Sequence, residues 1–117
     1  MRLRHPEDFR RVWSDGRSWV HPLFTLWGIP NTLGTTRVGI TASRKVGNAV
    51  IRNRARRLLR ESARHLYRKT VVGWDIVLVA RSALPNVVQP QVESALRSTL
   101  DRAGLLVSDD PSSQQGA

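Results

Sequence analysis

Cysteine is absent from the 117 residues, which excludes disulfides, thiolate zinc sites and cysteine nucleophiles. The three histidines are scattered and the nine acidic residues are dispersed, so neither the acid–base pair nor the carboxylate cluster of a protein nuclease is present. No apolar run approaches the length of a membrane span, and the N-terminus lacks the apolar core of a signal peptide. We therefore expect a cytoplasmic protein with no membrane partner, no metal site and no catalytic residues of its own.

Negative charge is also scarce. The chain has 19 Lys and Arg residues against nine Asp and Glu, giving a formal net charge of +10 and a pI near 11.7. A field of this sign attracts polyanions, so nucleic acid is the first class of partner and an anionic membrane surface the second. The hydrophobic fraction of 40% is that of a globular protein, and the length suits one domain.

Hydrophobic spacing and turn residues divide the first half of the chain into a helix and strands. A helix opens at Pro6 and stops near Gly16, and residues 23–29 are β-formers. Residues 31–35 have the composition of a turn or a short hairpin loop. Residues 37–43 alternate between apolar and small polar side chains, which predicts a half-buried strand with a polar outer face.

The second half contains a long helix, a strand and a last helix. Asn48 is a good N-cap for a helix over residues 49–69. Residues 74–80 are mostly apolar on both faces, which predicts a central strand. The last helix is expected to begin near Pro90 and to stop at Gly104, with a stripe of leucine and valine between them.

The predicted order of elements is α-β-β-β-α-β-α or close to it, which indicates a single-domain α+β sandwich with helices packed on one mixed four-stranded sheet. We assign residues 1–107 to this domain. Residues 108–117 are polar and rich in turn formers, and we expect them to be a disordered tail.

Positive charge is concentrated between Arg44 and Lys69, where ten of the nineteen basic residues are opposed only by Glu61. Projected at about 100° per residue, the helix collects an apolar stripe on one side. The predicted stripe consists of Ile51, Ala55, Leu58, Leu59, Ser62 and Leu66. The opposite side carries Asn53, Arg56, Arg57, Arg60, Arg64 and Arg68, and Arg52 and Arg54 flank the stripe.

The positively charged side of this helix is more typical of a surface that binds a polyanion than of a surface that contacts only solvent. Like charges four residues apart repel one another, and an ordinary solvated face mixes Glu with Lys. Arginine also presents a planar fork that suits phosphate. The loop from Arg44 to Asn48 brings two cations and free backbone N–H groups to the start of the helix, which makes it a candidate phosphate seat.

Residues 41–61 read TASRKVGNAVIRNRARRLLRE and closely resemble the defining stretch of the bacterial ribonuclease P protein component family. In that stretch a strand is followed by Lys/Arg-Lys-Val-Gly-Asn-Ala-Val, by Arg-Asn-Arg and by a basic helix. The resemblance extends to residues 7–9, 24–27 and 75–81, and it covers the chain from about Arg2 to Leu105. The tail is the part left unmatched.

The resemblance implies a protein subunit of a ribonucleoprotein. In this family the RNA subunit cleaves precursor tRNA with Mg²⁺, and the protein holds both that RNA and the 5′ leader. The endoribonuclease activity would then belong to the complex, with Mg²⁺ bound mainly by the RNA subunit and the substrate. The resemblance also implies a left-handed β-α-β crossover around the basic helix, against the usual right-handed rule.

Two surfaces follow from the family pattern. The residues expected to face the RNA subunit are Arg44, Lys45, Asn48, Arg52, Asn53, Arg54, Arg56 and Arg57. The residues expected in a cleft for the leader are Phe9, Trp13 and Trp27, with Arg60 and Arg64 reaching the leader backbone. Unpaired bases stack on aromatic faces with little sequence demand, which suits a protein that meets many leaders.

Other interpretations stay open at this point. Phe9 and Trp13 lie four residues apart and could be core residues, and tryptophan stands at positions 13 and 27 where smaller aromatics are common in the family. The chain could be a general RNA-binding protein or a DNA-binding protein that uses the basic helix in a major groove. The DNA interpretation is weaker, because a groove helix must project from the fold whereas this helix buries a broad stripe. No obligate protein partner is evident.

Overall fold

The computed structural model describes residues 2–107, which form three helices and four strands. In chain order these are α1 (Pro6–Asp15), β1 (Arg17–Val20), β2 (Phe24–Pro30), β3 (Arg37–Thr41), α2 (Ala49–Leu66), β4 (Trp74–Ala80) and α3 (Gln89–Arg102). Short 3-10 turns follow α2 at Tyr67–Lys69 and precede α3 at Leu84–Asn86. The order of elements confirms the predicted α-β-β-β-α-β-α sequence. Residues 108–117, predicted to be a disordered tail, lie outside the described residues.

The strands form one mixed sheet in the order β1-β2-β4-β3. β1 and β2 pair antiparallel, as do β2 and β4, whereas β3 and β4 pair parallel. β4 is therefore central, as its apolar run predicts, because both of its faces are covered and both of its edges are paired. The helix α2 makes the crossover between the parallel strands β3 and β4. Its left-handed sense stays a prediction from the family resemblance.

The segment between β2 and β3 is not a hairpin loop, contrary to one of the two predicted possibilities. β4 lies between these strands and pairs with both of them, so β2 and β3 do not pair with each other. The loop instead carries the chain across the end of β4, where the backbone N–H of Asn31 donates to the carbonyl of Gly73 at 2.7 Å. The Asn31 side chain closes the turn by accepting from the N–H of Leu33 at 2.9 Å.

The helices cover both faces of the sheet. α2 and α3 pack on one face, where the main core contains Phe24, Leu26 and Leu78. α1 packs on the other face over a smaller core of Leu3, Val12 and Val77, with Phe9, Trp27, Ile29 and Val79 packed against it. The predicted stripe of α3 is confirmed, since Val92, Leu96 and Leu100 are all buried. The domain thus has three layers, with the sheet between α1 on one face and α2 and α3 on the other.

The face of β3 that was predicted to be polar and outward is covered by α1. Gly39 on that face is buried beneath Phe9 and Leu3. A Cβ added at this position would lie only 2.8 Å from Cζ of Phe9 and 3.2 Å from Cβ of Leu3. The small residues of this strand are thus a docking surface for the aromatic ring of α1. Arg37 on the same face is likewise half-buried.

The basic helix begins as predicted and ends earlier. Oδ1 of Asn48 accepts a hydrogen bond from the N–H of Ile51 at 3.0 Å, which confirms the N-cap. Ile51 is not in the core: its side chain is 36% exposed and lies against Gly47, where a Cβ would approach Cγ2 of Ile51 to 2.8 Å. The α-helix stops at Leu66, the 3-10 turn Tyr67–Lys69 follows it, and Thr70 is then extended and forms a bridge with Leu106.

The N-terminal residues cover the outer edge of β3. Arg2 forms a parallel bridge with Val38, and the N–H of Leu3 donates to the Val38 carbonyl at 3.0 Å. Leu3 is buried with 3% of its surface exposed. This pairing satisfies backbone groups that an edge strand would otherwise leave open, and it fixes the position of Arg2 beside β3.

Candidate nucleic-acid interface

The α2 arginine surface lies on the loop before α2 and on its first turns. It consists of the eight residues predicted to face an RNA: Arg44, Lys45, Asn48, Arg52, Asn53, Arg54, Arg56 and Arg57. Arg52 and Arg56 are half-buried and the other six are exposed. The structure therefore places all eight on one continuous segment, and six of them are exposed.

Hydrogen bonds fix parts of this surface in place. Nε of Arg54 donates to the carbonyl of Pro85 at 3.0 Å, and the Ser82 hydroxyl donates to the Lys45 carbonyl at 3.2 Å. Nη1 of Arg56 donates to Oδ1 of Asn53 at 2.8 Å. The segment after β4 thus holds both the loop and the first turns of α2, so the surface is organised before any ligand arrives.

The cations of the α2 arginine surface are not neutralised by acidic side chains. Within residues 2–107 no carboxylate lies within ion-pair distance of any of them. Arg52 is the clearest case, because its Nε is buried and has no acceptor among the residues that the structure describes. A buried donor without an acceptor is costly, and an anionic ligand is the chemistry that would satisfy it.

A second surface, the aromatic cleft, lies on the α1 side of the sheet and consists of Phe9, Trp13 and Trp27. The rings of Trp13 and Trp27 meet edge to face, with centroids 5.3 Å apart and planes at 90°. Phe9 and Trp13 are tilted at 40° with centroids 6.4 Å apart. The structure therefore brings together three aromatic side chains that are up to 18 positions apart in the sequence.

The aromatic cleft is part core and part surface. Phe9 and Trp27 are half-buried and pack against the smaller core, whereas Trp13 is 39% exposed. One side of these rings supports the packing of α1, and the remaining surface is open to solvent. Rings that are held rigidly and partly exposed are suited to stacking on unpaired bases.

The two arginines predicted to reach the leader differ in whether they share a cavity with a residue of the aromatic cleft. Arg60 lines a cavity of about 200 Å³ together with Phe9. Arg64 lies one turn further along α2 and forms an exposed ion pair with Glu61. The hydrogen bond from Arg64 lowers the pKa of the Glu61 carboxyl, against a smaller opposing effect of desolvation.

A buried ionic network, which the sequence interpretation missed, fixes α1 on the sheet. Asp75 is fully buried and accepts hydrogen bonds from Nε and Nη2 of Arg37 at 2.9 and 2.7 Å. It also accepts from Nη2 of Arg11 at 2.7 Å and from Nδ2 of Asn31 at 2.8 Å. Nη1 of Arg37 further pairs with Asp8 of α1 at 3.3 Å. One carboxylate thus ties α1, β3 and the end of β2 to β4.

The electrostatics of this network favour the ionised carboxylate. Burial opposes ionisation, but the hydrogen bonds from Arg37, Asn31 and Arg11 together lower the pKa of Asp75 below its ordinary value. Asp75 raises the pKa of Arg37 in return. The signal in the sequence was an isolated acid at the start of the apolar run of β4, because a buried charge requires a partner of opposite sign.

Neither a metal cluster nor a membrane helix is found in the part of the chain that the structure describes. Residues 2–107 contain no group of three His, Asp or Glu side chains arranged to share a metal ion. In the same range no helix combines the length and the hydropathy that a membrane crossing requires.

Comparison with known proteins decides between the open interpretations. The family model for Ribonuclease P matches residues 1–104. The chain belongs to the ribonuclease P protein family. The ribonuclease P protein component of Roseiflexus sp. strain RS-1 is 44% identical over 110 residues, which covers 93% of this chain and 90% of that protein. The ribonuclease P protein component of Herpetosiphon aurantiacus is 37% identical over 114 residues, covering 97% and 93%.

Solved structures of ribonuclease P proteins share the fold. The RNase P protein of Staphylococcus aureus superposes with a TM-score of 0.79 at 28% identity, covering 90% of this chain and 96% of that one. The RNase P protein of Thermotoga maritima gives a TM-score of 0.79 at 31% identity, covering 87% and 96%. The mixed four-stranded sheet and the three helices are therefore those of the ribonuclease P protein fold.

Proposed function

We propose that this ribonuclease P protein component binds the RNA subunit of the ribonucleoprotein through the α2 arginine surface and binds the 5′ leader of precursor tRNA at the aromatic cleft. By holding both, it assists endonucleolytic removal of the leader, which leaves the mature 5′ end of the tRNA. The observation that carries the proposal is the layering of the fold. α1 bears Phe9 and Trp13 on one face of the sheet, and α2 packs on the other.

Each surface has the chemistry of its proposed ligand. Arginine forks on a helix contact phosphates and give strongly salt-dependent binding, which suits a structured RNA with a dense backbone. Aromatic rings stack on unpaired bases, which a leader offers and a folded tRNA body does not. Because stacking is tolerant of sequence, the aromatic cleft can accept different leaders.

The chemical step is proposed to belong to the RNA subunit, with Mg²⁺ held mainly by that RNA and the substrate. Residues 2–107 do not fit a magnesium site, because they contain no cluster of three His, Asp or Glu side chains arranged to share a metal ion and the carboxylates of Asp8 and Asp75 are engaged by arginines. Magnesium, where the RNA holds it, would activate the attacking water and stabilise the leaving oxygen. The contribution of the protein is to bind and orient its two RNA partners, and we expect it to do so in the cytoplasm, together with precursor tRNA.

Reconstitution tests this division of labour. We expect the purified, RNA-free protein to leave precursor tRNA intact, and the protein combined with its RNA subunit and Mg²⁺ to cut once at the mature 5′ end. A matched reaction without protein at the same Mg²⁺ concentration measures what the protein adds. Cleavage at the mature 5′ end by RNA-free protein would show that the catalytic groups are in the protein.

A further inference from the structure

A basic groove, here called the edge groove, runs between the edge strand β3 and the C-terminal half of α2. Its volume is about 640 Å³. The cationic lining residues are Arg2, Arg60, Arg64 and Arg68, with His65 beside them. The apolar lining residues include Val38, Ile40 and Ala63. Charged forks thus surround an apolar wall, a combination suited to a ligand with both phosphates and flat apolar groups.

Most of these arginines are free to bind a ligand. Arg2, Arg60 and Arg68 are exposed, and their side chains form no hydrogen bond or ion pair with any residue between positions 2 and 107. Arg64 is paired with Glu61, and His65 contacts Glu93 through Nδ1 at 2.6 Å. The acidic groups near the edge groove are therefore already engaged, and its remaining positive charge has no internal counterion.

The edge groove is continuous with the aromatic cleft. A cavity of about 200 Å³ lies between them and is lined by Phe9 of the cleft together with Arg2 and Arg60 of the groove. Val38 and Ile40 line both cavities. The outer edge of β3 is paired with the N-terminal residues, so the passage runs over a closed strand edge and not along an open one. An extended ligand leaving Phe9 would meet Arg2 and Arg60 next, and Arg64 and Arg68 after them.

We infer that the edge groove holds the part of a precursor tRNA leader that lies beyond the nucleotides stacked in the aromatic cleft. Its arginines would contact the leader phosphates, and Val38 and Ile40 would pack against a base. A single strand is flexible enough to bend over the edge of a sheet, whereas an A-form duplex is stiff and presents its shape and backbone as a rigid surface. The inference rests on the proposed function of the aromatic cleft and extends it to a second site.

Binding to leaders of increasing length tests the inference. The ribonucleoprotein is assembled with the wild-type chain, with the double variant Arg2→Gln/Arg68→Gln, or with Arg97→Gln. Arg97 is exposed on α3 and lines neither cavity, so this variant controls for lost charge. Each complex is titrated with mature tRNA and with precursors whose leaders are extended one nucleotide at a time.

The wild-type complex should gain affinity in two stages, first as the leader fills the aromatic cleft and then as it reaches the edge groove. The double variant should lose the second stage, with roughly a tenfold weaker affinity for long leaders, on the scale of one charge-assisted hydrogen bond. Its salt slope for long leaders should fall by about 0.7 for each lost phosphate contact. The Arg97→Gln complex should keep both stages.

Two results would overturn the inference. One is a second stage that persists in the double variant. The other is an equal loss for mature tRNA and every precursor, which would assign the edge groove to the RNA subunit. Failure of the proposed function itself is distinguishable, because Trp27→Ala would then leave the first stage unchanged.

Discussion

Arg37 and Asp75 are directly paired in the register of the parallel strands β3 and β4, and their side chains form two hydrogen bonds of 2.9 and 2.7 Å. Asp75 is fully buried, and the second oxygen of its carboxylate also accepts from Arg11 of α1. The pair therefore joins the centre of the sheet to the helix that carries Phe9 and Trp13. Its loss should be felt in the stability of the fold and in the geometry of the aromatic cleft.

We expect Asp75→Asn to reduce the free energy of unfolding by about 3–5 kcal/mol, because it leaves two partly buried arginines facing a neutral group. Urea denaturation at neutral pH measures the loss. Asp101→Asn, which removes an exposed carboxylate from α3, is the matched control and should change little. Equal stability of the two variants would mean that the buried network does not stabilise the fold.

Acid should destabilise the protein through the same carboxylate. The folded state holds the pKa of Asp75 below its ordinary value of 3.8, so the unfolded chain binds the proton more readily. The stabilisation is fully present above that ordinary value and is lost as the pH falls towards the folded pKa. Urea melts between about pH 6 and pH 2 should show a steeper loss for wild type than for Asp75→Asn. Parallel curves would exclude Asp75 as a source of the acid sensitivity.

Local signals were sufficient to predict much of this structure. Asn48 is an N-cap, β4 is central and α3 buries its leucine stripe, because each depends on side chains that are close in the sequence. The ionic network could not be assigned, since Arg37 and Asp75 are 38 positions apart and only the strand register unites them. The covered face of β3 was missed for the same reason: small residues look solvated until α1 is docked on them.

The two proposed RNA-binding surfaces differ in how far the sequence alone can predict them. The α2 arginine surface is one continuous segment, so helical projection places its residues together. The aromatic cleft joins a helix to a strand, and the contact between Trp13 and Trp27 depends on how α1 crosses the sheet. The edge groove joins residues near the N-terminus to residues beyond position 60, which no local pattern can bring together.

Alanine substitutions on the α2 arginine surface should weaken binding to the RNA subunit. For Arg52, Arg56 and Arg57 we expect the log–log dependence of affinity on salt to flatten by up to about one unit per lost phosphate contact. The stability of the fold should stay the same or increase, since each substitution removes like-charge repulsion along α2. Arg54→Ala should also loosen the contact with Pro85 and is best read separately. Arg97→Ala is the control. If the variants have the same salt dependence as this control, the arginines of the α2 arginine surface do not contact phosphates.

Trp27→Ala should separate leader binding from assembly. We expect the assembled complex to lose roughly 1–3 kcal/mol of affinity for precursor tRNA, the scale of one base stacked on one ring. Affinity for mature tRNA and for the RNA subunit should change little. Trp13→Ala removes the more exposed ring of the pair and should reproduce the effect at a smaller cost in stability. If Trp27 is only a core residue, Trp27→Ala should lower the melting temperature steeply and weaken the affinities for precursor and mature tRNA equally.

Gly39→Ala should displace Phe9 from the sheet, because the added Cβ would lie 2.8 Å from its Cζ atom. We expect a loss of about 1–3 kcal/mol in stability, typical of overpacking, together with weaker leader binding. Adding Phe9→Leu should relieve the clash and recover stability while leader affinity stays low. Recovery of both properties by the double variant would show that the Phe9 ring does not contact the leader.

The central position of β4 has a consequence for the order of events during synthesis. β4 begins at Trp74 and is the last strand to leave the ribosome, although β2 and β3 each need it as a neighbour. Until it emerges, the nascent chain can form the β1–β2 hairpin and segments of α1 and α2, and an isolated hairpin is at best marginally stable. The sheet depends on contacts between distant residues, which makes its formation slow relative to helix formation. The cationic helix α2 is thus translated before β4, the central strand of the sheet on which α2 packs.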